Sequence, residues 1–141
     1  MMTTWVSGMP PLLHFDDSRT RCVISGTLQS MRLNTLVHAG SLFVEHEPVA
    51  PDQTVDGDPH TGIGTLGRFA GLEVGVWEMT PGVMRDVEAD EVFVVIAGAA
   101  TVEFADGTAP LTLGPGDVVR LAEGAETVWT VTETLRKVYL V

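Results

Sequence analysis

GVMRDVEADEVFVVIAG, residues Gly82 to Gly98, is the stretch on which the reading of the whole chain turns. Two glycines bracket an acidic cluster, Asp86, Glu88, Asp90 and Glu91, and Glu91 opens a run of apolar residues. That run carries apolar side chains at both parities, the pattern of a strand buried on both faces. Along a regular strand Asp86, Glu88 and Asp90 share one face and Glu91 takes the other. An acidic cluster just before an apolar strand reads as a solvated rim, with Glu91 alone directed inward. The frame would suit a cation, yet it contains no histidine.

Outward from this stretch the chain continues as short strands and turns. Upstream, LEVGVWEM alternates Leu72, Val74 and Val76 with Glu73, Gly75 and Trp77, a period of two, and Thr80-Pro81-Gly82 makes the turn into the acidic segment. Downstream, Asp106-Gly107 and Gly114-Pro115-Gly116-Asp117 mark two further turns. The Asp117 carboxylate is expected to cap backbone donors there. ETVWTVTE and LRKVYLV close the chain as alternating strands, and no long amphipathic helix follows residue 67. So many short strands predict an all-β barrel or sandwich.

Residues 1–40 show no sustained periodicity and read as a leader that the fold does not need. Residues 41–66, rich in Pro, Gly and Asp, read as an extended loop and entry strand, and 67–141 as the barrel core. The 141 residues suffice for one domain. Net charge is −11 and unevenly spread. Arg19, Arg21 and Arg32 outnumber Asp16 and Asp17 in the leader, whereas the remainder holds five basic against seventeen acidic side chains. Such a body repels phosphate backbones and anionic membranes, so neither nucleic acid nor membrane is an expected partner. Cys22 is the only cysteine, which rules out an internal disulfide. No signal-peptide pattern opens the sequence, and the cytoplasm is the expected compartment. GIGTLG (Gly62 to Gly67) enters a strand rather than a helix, so it is no phosphate loop. The serines Ser7, Ser18, Ser25, Ser30 and Ser41 all precede the barrel and support no nucleophilic triad.

From Trp77 to Val141 the order of WEMTPG, DEVFVVIAG, FADG, GPGDVVRLAEG, TVWTV and RKVYLV resembles a small single-domain cupin of the ureidoglycine aminohydrolase cupin-domain group. The resemblance implies a double-stranded β-helix, a jelly-roll barrel with an interior pocket, preceded by an irregular N-terminal extension. It also implies a homodimer. Metal-binding cupins are similar to one another in two motifs, and Glu91 followed by six residues and Gly98 matches the end of the first. The histidine pair of that motif would fall at Arg85 and Val87, or at Met84 and Asp86. In the second motif Gly116, Asp117 and Gly124 match, Ala122 stands for the proline and Thr127 for the histidine. A transition metal needs three or four imidazole, thiolate or carboxylate donors. Arginine offers no lone pair. The four histidines, His14, His38, His46 and His60, lie upstream of both motifs. No metal and no cofactor are therefore expected.

Regular continuation of the strand would place Arg85, Val87 and Glu91 inward together, with Arg120, Thr127 and Trp129 from later strands. A buried glutamate then needs a cation, either Arg85 or Arg120. Trp77 and Trp129 supply walls, although aromatic residues at strand positions also serve as core or dimer contacts. Lys137 is expected to pair with an acidic neighbour, and the sequence gives no support for a Schiff-base role. These residues predict a pocket for a small polar, carboxylate or ureido compound, with Arg85, Glu91, Arg120, Thr127, Trp129 and Trp77 as ligand-binding candidates. Two other readings stand beside it: an enzyme, hydrolase or isomerase, resembling ureidoglycine aminohydrolase, and a structural or regulatory dimer whose pocket is filled by side chains. Fold alone does not choose among them.

Overall fold

The computed structural model describes residues 31–141, so the expectations for His14, Cys22 and residues 1–30 lie outside the described residues. Nine strands follow in order: β1 (Glu47–Pro48), β2 (Thr54–Asp56), β3 (His60–Phe69), β4 (Leu72–Met79), β5 (Gly82–Val87), β6 (Glu91–Phe104), β7 (Leu111–Leu113), β8 (Val118–Leu121) and β9 (Glu126–Leu140). The last strand organises them. Its first half pairs antiparallel with β5, from Val87↔Glu126 to Gly82↔Val131, and its second half with β4, from Met79↔Leu135 to Val74↔Leu140. Along its other side it pairs with β6 through both halves. Beyond β6 lie β8 at one end and β7 at the other.

Two sheets thus share the long strands β6 and β9, one ordered β1-β3-β4-β9-β6-β8 and the other β2-β5-β9-β6-β7. This is the all-β jelly roll expected from the sequence. The long strands must bend together where one sheet passes into the other. In β6 the bend appears as register shifts between Val95 and Ala100, and Gly98 sits within it at φ +92°. A Cβ on Gly98 would collide with the Thr134 carbonyl of β9, so only glycine lets the two strands cross so closely. The glycine that ends the Glu91 motif is the corner of the barrel.

Alternation along the strands fixes what faces inward. Trp77 and Met79 of β4, Met84 of β5, Phe93, Val95 and Val102 of β6, Val119 and Leu121 of β8, and Trp129, Val131, Leu135 and Tyr139 of β9 form the interior. The opposite face of β4 buries Val74 and Val76 instead. There Val37, Ala39, Leu42 and Val44 lie over Leu66, Val76 and Val138. Arg136 secures this segment by donating to the carbonyls of Ala39 and Leu42 at 2.8 and 2.7 Å and to Glu78 Oε2 at 3.0 Å. Part of the stretch read as a dispensable leader, Val37 and Ala39, therefore covers the sheet. Strand β3 begins at His60, within the 41–66 stretch read as loop and entry strand, and its partner β4 is long enough to pair it as far as Thr61↔Met79.

One expectation is corrected. β6 was expected to bury both faces, but only Glu91, Phe93 and Val95 are inward-facing and buried in its first half. Val92 is 37% exposed, and Val118 of β8, which pairs with Val94, is 68% exposed. The covering segment reaches β3, β4 and β9 and stops short of β6 and β8.

Candidate functional site

The charged residues of the interior come from three strands and one loop. β5 ends at Val87, and Glu88, Ala89 and Asp90 turn the chain before β6 starts at Glu91. Backbone bonds fasten this turn to the loop between β8 and β9: Glu88 N–H donates to Ala125 O, and Gly124 N–H to Glu88 O, both at 2.8 Å. Because the turn breaks the alternation, Asp86, Glu88 and Glu91 all end up buried. Only Asp90 stays outside. The solvated rim expected for Asp86 and Glu88 is thus corrected: both share the inward parity of Met84 on β5, and the turn lets Glu91 open the inward parity of β6 as well.

Lys137 stands at the centre. It lies on β9 between Leu135 and Tyr139, both inward-facing, and is wholly buried. Its Nζ is 2.8 Å from Glu91 Oε2, both side chains being fully buried. Three rings surround the ammonium, with centroids at 4.0 Å (Phe93), 4.6 Å (Trp77) and 5.0 Å (Trp129). Such faces attract a cation, more strongly when water is excluded. Glu88 is the second carboxylate. Its Oε2 accepts from Thr127 Oγ1 at 2.5 Å and from Trp129 Nε1 at 2.8 Å. Burial pushes the Glu88 carboxyl above its ordinary value, against the opposing pull of Lys137 and of these two hydrogen bonds.

The cluster is not closed. The Lys137–Glu91 contact has the distance of an ion pair but not the alignment of a hydrogen bond. Glu88 Oε1, both Glu91 oxygens, Lys137 Nζ and Trp77 Nε1 are buried with no hydrogen-bond partner among the described residues. Native interiors pair nearly all such groups, so five together call for a physical reason.

The sequence-predicted residues divide into two groups. Glu91, Thr127, Trp129 and Trp77 come together in the interior. Arg85 and Arg120 do not join them. Arg85 faces solvent, because β5 directs Met84 and Asp86 inward and its neighbours out. Arg120 alternates with the inward Val119 and Leu121, and its guanidinium meets Asp90 3.3 Å away on the surface. The arginine–glutamate pair expected in the pocket is corrected: the partner of Glu91 is Lys137. Asp90 titrates below its ordinary value, chiefly through the Glu123 backbone N–H and then through Arg120.

Residues 66–139, a little over half of the chain, match the EutQ-like cupin domain family. The chain belongs to that cupin family. Among curated proteins none matches it. Of solved structures, EutQ of Clostridium difficile is 15% identical, with 81% of this chain and 94% of that chain covered and a TM-score of 0.59. A DUF861-family protein of unknown function from Pseudomonas syringae pv. tomato is 27% identical over 70% of this chain, with a TM-score of 0.56. This cupin spans 43% of that protein's length. A protein of unknown function from Rhizobium leguminosarum is 23% identical, with 79% and 96% covered and a TM-score of 0.52.

The motif positions of a metal-binding cupin can now be tested against this cupin's own side chains. No three His, Cys, Asp or Glu residues gather to hold a metal among the described residues. Arg85 and Val87 point outward, and Thr127 bonds to Glu88. A lysine ammonium already lies against Glu91. The donor set does not fit a divalent ion. His46 pairs with Glu78 at 2.7 Å on the outer face, and His60 Nδ1 lies 3.1 Å from the Asp58 carbonyl. Among the described residues no helix is long and apolar enough to cross a membrane.

Sequence reasoning missed Glu88 and the central place of Lys137. The signal for Lys137 was present: it is the only lysine in the chain, two residues from Tyr139 and Leu135 on one strand face. Glu88 carried no comparable signal, since its burial depends on where β5 ends.

Proposed function

We propose that this cupin binds a small, polar, uncharged molecule inside the barrel, held by Lys137, Glu91, Glu88 and Trp77, with Thr127 and Trp129 fixing Glu88. The observation that carries this reading is a group of five buried polar atoms, the Lys137 ammonium nitrogen among them, with no hydrogen-bond partner among the described residues. They offer two kinds of donor, an ammonium and an indole N–H, beside carboxylate acceptors. A ureido or amide group, with its own carbonyl and N–H groups, complements both. A carboxylate ligand is less suited, because two carboxylates already face the single ammonium and both arginines lie outside.

Thermal unfolding in the presence of a panel of neutral ureas and amides, alongside small carboxylates, tests this. A true ligand at a hundred times its dissociation constant raises stability by about 2.7 kcal/mol. Stabilisation by carboxylates alone would sink the reading.

The enzyme alternative, resembling ureidoglycine aminohydrolase, is favoured by one observation. Glu88 holds its proton more firmly than an ordinary carboxyl and sits near an amine, an acid–base pairing suited to work on a polar substrate. Outside the barrel, a second copy of the chain is the proposed partner. The apolar face that starts under Val44 and Val76 continues uncovered across Val92 and Val118. Homodimerisation there would bury it.

A further inference from the structure

The chain has 19 acidic residues and a single lysine, and that lysine is wholly buried at the centre of the barrel. Lysine is ordinarily the most solvated of side chains, and a buried one is costly unless paired. It supplies the counter-charge for Glu91 at 2.8 Å. That contact lacks hydrogen-bond alignment, however, and the ammonium has no hydrogen-bond acceptor among the described residues. An arginine would have forked both Glu91 oxygens, whereas a lysine offers what arginine cannot: an amine that can lose its proton and react.

We propose that Lys137 is an amine nucleophile that condenses with the carbonyl carbon of a small neutral aldehyde or ketone to form a Schiff base. The proposal rests on the interior being a ligand site and names the ligand's class. The surrounding groups account for each proton. The ammonium passes one proton to the Glu91 carboxylate beside it, 2.8 Å away, which frees the nitrogen lone pair. That lone pair forms the C–N bond as the carbonyl π electrons move to oxygen, and the oxygen takes a proton from the Glu88 carboxylic acid. A second N–H proton returns to the Glu88 carboxylate. The carbinolamine hydroxyl then leaves as water with the proton carried by Glu91, and the C=N bond closes. Ammonium and carbonyl compound become protonated imine and water, both carboxyl groups return to their starting states, and no oxidant or reductant is consumed.

The geometry supports this assignment of Glu88. Thr127 and Trp129 both donate to Oε2, so a proton on this carboxyl belongs on Oε1, the oxygen without a partner. Its burial favours the protonated form, against the pull of Lys137 and of these two hydrogen bonds. Trp77 Nε1, the remaining unpartnered donor, suits a ligand oxygen.

The sequence makes the test clean, since the full chain holds only two kinds of primary amine, the α-amine and Lys137. The folded protein is treated with propanal and cyanoborohydride, which reduces an imine to a stable secondary amine, and propylation of each amine is followed by peptide mass spectrometry. Lys137 is expected to be trapped at least about tenfold faster in the folded chain than in the same chain unfolded in urea, as placement beside acid and base groups implies. The α-amine serves as the internal reference. Trapping of Lys137 only after unfolding would overturn the proposal and leave a locked charge. Glu88→Gln retains an acceptor for Thr127 and Trp129 but has no proton to give, and it should slow trapping at Lys137 while the α-amine reacts as before. An unchanged rate in that variant would overturn the proton route as written. If neutral ureas stabilise the protein but propanal leaves no label, non-covalent binding stands and this inference alone falls. If neither happens, both fall.

Discussion

The barrel interior contains two buried polar groups, both anchored on β9, that end in opposite states. Toward the chain terminus, Tyr139 OH donates to Glu73 Oε2 at 2.7 Å, and Thr65 Oγ1 donates to the same oxygen at 3.2 Å. Glu73 also exchanges both backbone bonds with Val141, at 2.7 and 3.0 Å. Glycine at position 75 makes room for the phenol, because a Cβ there would collide with Tyr139. Burial and the nearby Glu73 charge hold the phenol well above its ordinary value, so it remains a donor. Two residues earlier on β9, Lys137 pairs with Glu91 and lies near Glu88, and five atoms of this group have no hydrogen-bond partner among the described residues. A closed network specifies a fold and has nothing left to offer. An open one pays its desolvation without full return, which makes sense where another molecule completes it.

The largest effect that can break this contrast comes from Lys137→Met. The side chain keeps its length, but two buried carboxylates lose the only ammonium near them. Removing one partner of a buried ion pair costs about 3–5 kcal/mol, and urea unfolding should show a loss of that size. Adding Glu91→Leu should recover much of it, because replacing both charges by apolar groups is often neutral. A double variant no more stable than the single one would mean that the lysine acts through its packing against Trp77, Phe93 and Trp129 rather than through charge.

Tyr139→Phe is the matching change in the closed network. It deletes one hydrogen bond to a charged group and leaves Glu73 with Thr65, for a loss of about 1.5–3 kcal/mol. Binding of the interior ligand, and trapping at Lys137, should be unchanged. Should Tyr139→Phe abolish binding while stability holds, the two groups would have to be regarded as one site.

How much of this was readable in advance follows the same division. The jelly roll was legible because turns and alternation are local: Gly114 to Asp117 forms its turn, with the Asp117 carboxylate accepting from Gly114 N–H at 2.8 Å as expected. Glu91, Thr127, Trp129 and Trp77 were placed inside because each lies within a regular strand. Arg85 was misplaced for a different reason: its assignment assumed that one parity runs unbroken from β5 into Glu91, and the three-residue turn at Glu88–Asp90 resets it. Arg120 was misplaced because β8 directs Val119 and Leu121 inward and leaves the arginine between them outside. Glu88 was lost to the same turn. Which cation meets Glu91 is a long-range fact of β6 pairing with β9, set by the register Val95↔Lys137. Nothing near Glu91 in the sequence encodes it.

A smaller effect tests the proton on Glu88. The folded chain holds this proton more tightly than the unfolded chain, whose carboxyl titrates near its ordinary 4.5. That contribution to stability is fully present below the unfolded value and is lost as pH rises through the higher folded value. The stability of the wild type relative to Glu88→Gln should therefore fall as pH is raised from the ordinary carboxylate range, and level off once Glu88 is ionised in both states. Paired urea titrations across that range measure it. A relative stability that rises with pH would show Glu88 to be held as a carboxylate by Lys137, which removes the acid from the site.

The smallest expected change in monomer stability lies on the outer face, where the covered and uncovered halves of one sheet can be compared directly. Val76 is wholly buried under the segment that includes Val44, while Val118 on the same sheet is 68% exposed. Placing a charge at the first site should destabilise the fold itself, because it strands that charge in a packed layer. At the second, Val118→Asp leaves the single chain within about 0.5 kcal/mol of wild type. If a second copy covers this face, the same substitution should convert a dimer to a monomer in sedimentation velocity, since two copies would bring two new carboxylates into an apolar contact. A chain that sediments as a monomer both before and after the change would leave Val92 and Val118 as ordinary exposed valines. The asymmetry between the two halves of the sheet would then come from the reach of residues 31–46 alone.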